Sequence, residues 1–146
     1  MSMKENYYDE RQIAERGKAF MISWFIVMLL LLLCHFICTA FEYKTLFSEH
    51  LFLSIMWAGI AVFSIISITK DAYEYLANKR TSVFMMAAFF CLGLLISITT
   101  PIDIIKDGGI LIKDGVIIEE CFELFNGLCQ LSFSSTYFIH RLKSKR

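Results

Sequence analysis

Proline occurs once in these 146 residues, at Pro101, and the chain holds no Cys-x-x-Cys pair, no His-Glu-x-x-His, no Gly-x-Ser-x-Gly and no phosphate-binding glycine loop. These absences argue against proline-rich linkers, dithiol oxidoreductases, zinc proteases, serine hydrolases and P-loop enzymes in turn. Charge is scarce in a more telling way. Residues 19–41, 51–69 and 82–100 contain no Asp, Glu, Lys or Arg at all. The basic residues that do occur sit in short clusters with no folded domain behind them, which speaks against nucleic acid as a partner.

Four apolar stretches fill the chain instead, at 19–41, 51–69, 82–100 and about 117–139, with lengths of 23, 19, 19 and 23 residues. A hydrocarbon core of ~30 Å takes ~20 helical residues at 1.5 Å each, so each stretch is long enough to cross. Apolar residues make up 57% of the sequence and aromatics 15%, with a mean hydropathy of +0.59, which does not suit a soluble domain of this size. The expected fold class is an all-α membrane protein: a single integral domain over 1–146, built as an up-down four-helix transmembrane bundle.

A net charge of zero conceals a sorted distribution. Four cations precede the first stretch (Lys4, Arg11, Arg16, Lys18) and Lys44 follows it; Lys70, Lys79 and Arg80 join the second to the third. Lys106 and Lys113 precede the fourth, and Arg141, Lys143, Lys145 and Arg146 form a basic tail within 140–146. Taken by alternate sides the split is eleven against three. The positive-inside bias predicts both termini and the 70–81 connection cytoplasmic, with 42–50 and 101–116 outside, in a multi-pass protein of the cell membrane. The first apolar run exceeds the ~7–15 residues of a signal-peptide core, so its retention as a span is expected.

Residues 1–18 read as a helix running into the first span, with Asp9 as its N-cap. Ile13, Gly17, Phe20 and Trp24 line one face and Glu10, Arg11, Glu15 and Lys18 the other, a pattern that fits an interfacial helix or a solvated extension. The stretch DERQIAERGKAF at 9–20, directly before a first span, resembles the start of uncharacterised small multi-span membrane proteins of Firmicute-type bacteria. The resemblance covers 12 of 146 residues. It implies a bacterial cytoplasmic membrane, and carries over no activity or site residue.

Two features are expected to shape the packing. Ser54 with Ala58, and Gly93 with Ser97, are small residues at four-residue spacing that let helices approach closely. In the 101–116 connection, Ile102–Lys106 and Ile110–Lys113 flank Asp107-Gly108-Gly109, which predicts a short extracytoplasmic β-hairpin between helices 3 and 4. Asp114-Gly115 would then form a second turn, with Asp114 capping the fourth helix.

Polarity enters the membrane in the fourth stretch. Glu119, Glu123, Asn126, Gln130, Ser134 and Tyr137 recur at steps of three or four and share one helical stripe. Carboxylates and amides in a bilayer cost several kcal/mol when unpaired, so this stripe should face other helices. At 1.5 Å per residue from Phe20 and Ile139, His35 lies ~22 Å and Glu123 ~24 Å into the membrane, with Cys38 and Cys121 both at ~27 Å. The candidate polar site is therefore His35, Glu119, Glu123, Asn126 and Gln130. Three chemistries fit it: a hydrogen bond between a neutral acid and histidine, a proton or cation relay, and a soft-metal site of Cys38, His35, Cys121 and Glu123. No cofactor and no catalysis are expected.

Two functional classes follow. One is a non-enzymatic accessory or regulatory subunit packing against another membrane protein. The other is a small oligomeric transporter or channel lined by Glu123, Asn126 and Gln130, and a holin-like membrane-active protein is a further alternative. The expected partners are the lipid bilayer and either another membrane protein or further copies of the chain.

Overall fold

The computed structural model describes residues 10–41, 49–73, 79–106, 108–109, 111–113 and 116–144. Four helices dominate: α1 (Glu10–Phe41), α2 (Glu49–Thr69), α3 (Lys79–Lys106) and α4 (Glu119–Lys143). Between the last two lie the two-residue strands β1 (Ile112–Lys113) and β2 (Val116–Ile117).

Three of the helices, α1, α2 and α3, are long and apolar enough to cross a membrane. This marks the chain as a membrane protein. α4 has the length, at 25 residues, but its acids, amides and hydroxyls make it the most polar of the four. It compensates by position. The extensive packing contacts join α3 to α4, α2 to α4 and α1 to α2, so α4 lies between two apolar neighbours and α1 is attached along α2. Only 6% of the most apolar stretch of α1 is buried, against 39% in α2.

The directions follow from the cross-helix contacts. His50 meets Glu119 at one end and Asp71 meets His140 at the other, so α2 and α4 run parallel. Phe89 against Phe133 and, further along α3, Ile96 against Gly127 make α3 antiparallel to α4. Gln12 bonded to the Asp71 carbonyl, with Val27 against Gly59, makes α1 antiparallel to α2. The order is up-down, as expected.

The core sits in the half of the bundle nearer Asp71, where Ala61, Ile68, Met86, Phe133 and Tyr137 are buried against Trp57, Phe89 and Phe138. Edge-to-face aromatic pairs bind the layers, with Phe89 and Phe133 centroids 5.4 Å apart and Tyr73 and Tyr137 6.0 Å apart. Such pairs add to the area they bury because ring edge and ring face carry opposite partial charge.

The expected hairpin around Asp107–Gly109 is not formed. Residues 101–106 continue α3 instead, with Pro101 inside the helix. Proline leaves the Ser97 carbonyl without an N–H from four residues on, yet the helix persists for another turn. It ends at the glycines. Gly108 (φ 91°) donates to the Ile105 carbonyl at 3.2 Å and Gly109 (φ 72°) to the Ile104 carbonyl at 2.9 Å. These are the two bonds of a Schellman helix terminus. A left-handed glycine serves a hairpin turn and a helix end equally well, which is why the sequence pattern misleads. The one ladder pairs Ile112 with Ile117 and Lys113 with Val116, across residues 114–115, which lie outside the described set.

α2 ends by the same motif, with Asp71 (φ 54°) where α3 has glycine: Asp71 N–H bonds the Ile68 carbonyl and Ala72 N–H the Ser67 carbonyl. α4 begins at Ile118, whose side chain makes no cap; the expected cap Asp114 lies outside the described residues. Glu119 and Glu120 in the first turn offset the positive end of the helix dipole instead. The expected N-cap Asp9 lies outside the described residues, and α1 runs unbroken from Glu10 into the apolar stretch.

Candidate functional site

The stripe on α4 divides into an outward and an inward part. Glu119 is exposed and its Oε1 lies 3.0 Å from His50 Nε2, tying the first turns of α4 and α2 together. Glu123, one turn further in, is exposed and has no hydrogen-bond or ion-pair partner among the described residues. From Asn126 onward the stripe turns inward. Asn126 is 8% exposed, Gln130 3%, Ser134 0% and Tyr137 3%.

The inward part is only partly satisfied. Ser134 Oγ donates to the Gln130 carbonyl at 2.6 Å, and the Tyr137 hydroxyl accepts from Arg141 Nη1 at 2.8 Å. Among the described residues, Asn126 Oδ1 and Gln130 Oε1 have no hydrogen-bond partner, and neither do Ser54 and Ser67 Oγ on α2 or Ser97 Oγ on α3. A buried acceptor without a donor carries its full desolvation cost, ~1–3 kcal/mol. Ser97 Oγ lies where the backbones of α3 and α4 approach closely. A Cβ placed on Gly93 would lie 2.9 Å from the Gly127 carbonyl oxygen, and one on Gly127 would lie 2.8 Å from Ile96 Cγ2 and 3.2 Å from Ser97 Oγ. The expected small-residue pair of α3, Gly93 with Ser97, thus packs against α4 within the chain. On α2 the closest approach belongs to Gly59, next to the expected Ala58, and it faces Val27 of α1.

His35 is exposed on α1, a helix that packs along α2, whereas Glu123 is on α4. The cross-helix pairings set Glu123 level with Ser54 and Ser54 level with about residues 29–32 of α1. His35 therefore stands about 4–9 Å closer to the His50 end of the bundle, at 1.5 Å per residue, and the structure does not bring the two together. The Cys38 side chain lies outside the described set; Cys121 is half-buried on α4. Cys91, Cys121 and Cys129 are free thiols. Among the described residues no three of His, Cys, Asp and Glu are grouped closely enough to hold a metal ion.

Sequence reasoning missed a polar junction at the opposite end of the bundle. Gln12 Nε2 donates to the Asp71 carbonyl at 2.8 Å, His140 Nε2 lies 3.7 Å from Asp71 Oδ1, and Glu15 pairs with Lys18 at 2.8 Å. Arg11, Glu15, Thr69, Lys70 and Asp71 line a cleft of about 270 Å³ there. The available signal was Asp71 itself, an acid that directly follows the last apolar stretch of α2 and Lys70. No protein-family model matches the chain, and no curated protein or solved structure matches it.

Proposed function

We propose that this chain is a non-enzymatic accessory or regulatory subunit that packs against another membrane protein. In this reading all four helices cross a bacterial cytoplasmic membrane, and α4 crosses because α2 and α3 shield its amides. Both termini lie in the cytoplasm, in keeping with the eleven-to-three division of Lys and Arg.

The observation that carries the proposal is the outward Glu123. One turn before the stripe turns inward, this carboxylate has no partner among the described residues, and an acid at membrane depth favours a donor or cation beside it. The inward amides add support of a different kind. With Gly93 and Gly127 backbone to backbone, Asn126 and Gln130 are packed within one copy and do not border an open path.

The test is a photo-crosslinking residue in place of Glu123, expressed in native membranes and followed by purification in mild detergent. A stoichiometric adduct with a different membrane protein supports the subunit reading. An adduct between two copies of the chain favours the second reading, an oligomeric transporter or channel whose seam Glu123 would line. Adducts with lipid alone remove the basis for both.

A further inference from the structure

Between α1 and α2 runs an apolar groove of about 410 Å³, lined among others by Phe20, Trp24 and Leu31 on α1 and by Phe52, Gly59 and Phe63 on α2. The two helices pack along one another and come closest at Gly59, where a Cβ would meet Val27 Cγ2 at 2.5 Å; the groove lies beside that seam.

We infer that this groove holds one phospholipid with an anionic headgroup. Three features select that occupant. The first is length: Phe20 to Leu31 is eleven residues, ~16 Å of helix, which suits one acyl chain and is about half of the ~30 Å that a crossing helix from a partner would cover. The second is charge. Arg16 continues the α1 stripe one turn beyond Phe20, and Lys70 lies two turns beyond Phe63 on the α2 stripe, so both lining stripes lead to cations at the same end. On α1 and α2 the cations of this end, Arg11, Arg16, Lys18 and Lys70, outnumber the acids Glu10, Glu15 and Asp71, and Glu15 is paired with Lys18. The third is overall reach. Arg16 to Leu31 is ~22 Å, equal to half of a ~40–45 Å bilayer including headgroups, which is the length of one lipid.

Trp24 lies in the groove and supplies the readout. The chain has two tryptophans, and Trp57→Phe keeps a ring against Phe89 while leaving Trp24 as the only indole. The full chain carrying this change is reconstituted in phosphatidylcholine vesicles with a small, increasing fraction of brominated phosphatidylglycerol or brominated phosphatidylcholine, and Trp24 quenching is measured. The anionic lipid should quench at about one twenty-fifth of the fraction required of the zwitterionic one, roughly fivefold for each of the two surface cations. Lys70→Gln should remove most of that preference and Lys70→Arg should retain it; Lys70 is exposed, so neither change disturbs packing. Equal quenching by both lipids would mean ordinary boundary lipid and overturn the inference. So would an absence of quenching by either, which would show that protein covers the groove.

Discussion

Gly93 of α3 and Gly127 of α4 are in backbone contact: a Cβ on Gly93 would stand 2.9 Å from the Gly127 carbonyl oxygen and 3.0 Å from Gln130 Cβ. Because the obstacle is mostly helix backbone, no rotamer change can relieve a clash there. Gly93→Ala should destabilise the bundle by about 1–3 kcal/mol, the usual cost of overpacking, and Gly127→Ala should act similarly through Ile96. Gly17 is the control, since a Cβ there meets nothing within 4 Å. Gly17→Ala should be neutral or stabilise by up to about 1 kcal/mol through helix propensity. Thermal unfolding of the three variants in one detergent, followed by circular dichroism, checks the order.

Gln130 gives the opposite sign. Its Oε1 is buried without a donor, so replacing the amide with an apolar side chain of similar length removes an unmet acceptor. Gln130→Met should leave stability unchanged or raise it by about 1 kcal/mol. A loss of 2 kcal/mol or more in the same melt would mean that something unseen, such as a buried water, satisfies that oxygen in the folded protein.

The end of α3 permits a purely conformational test. Gly108 and Gly109 have positive φ and open space around them, so an alanine at either position is resisted by backbone strain alone. Gly108→Ala should cost about 1–2 kcal/mol, the left-handed penalty for a residue with a Cβ. It should appear locally, as faster amide exchange at Gly108 and Gly109, while exchange around Phe133 stays unchanged.

The three apolar helices were legible because each lacks charge over about twenty residues, a signal that no soluble packing imitates. The α4 stripe was legible too, since period alone places Glu119 through Tyr137 on one side. Which part of it faces inward was not legible. That depends on where α2 and α3 sit, and the bundle buries Asn126 while leaving Glu123 outside. Depth counting also failed for His35. It assumed that every helix enters the membrane at its last charge, whereas α1 is displaced along α2, with Gln12 level with Asp71. The isoleucines of 102–105 looked like a strand on β-propensity, but tertiary context and a proline-tolerant helix end prevailed.

Glu119 and Glu123 form a matched pair for the last prediction, because both are exposed acids one turn apart on α4 and, among the described residues, Glu119 has a partner and Glu123 has none. Glu119→Gln should weaken the tie to His50, and since that pair is solvent-accessible the loss of stability should be no more than about 1 kcal/mol. Glu123→Gln should leave the melting temperature of the isolated chain unaltered, since this carboxylate has no hydrogen-bond or ion-pair partner among the described residues. If Glu123 meets a cation on a partner subunit, the same change should weaken that association by about 2 kcal/mol, roughly thirtyfold, since the partner's charge would be left buried and unpaired. Quantitative co-purification of the two variants from native membranes, beside melts of each in detergent, separates the effects. A Glu123→Gln chain that keeps both its melting temperature and its association would show that this carboxylate reaches only the headgroup region, and the subunit reading would lose the observation that carries it.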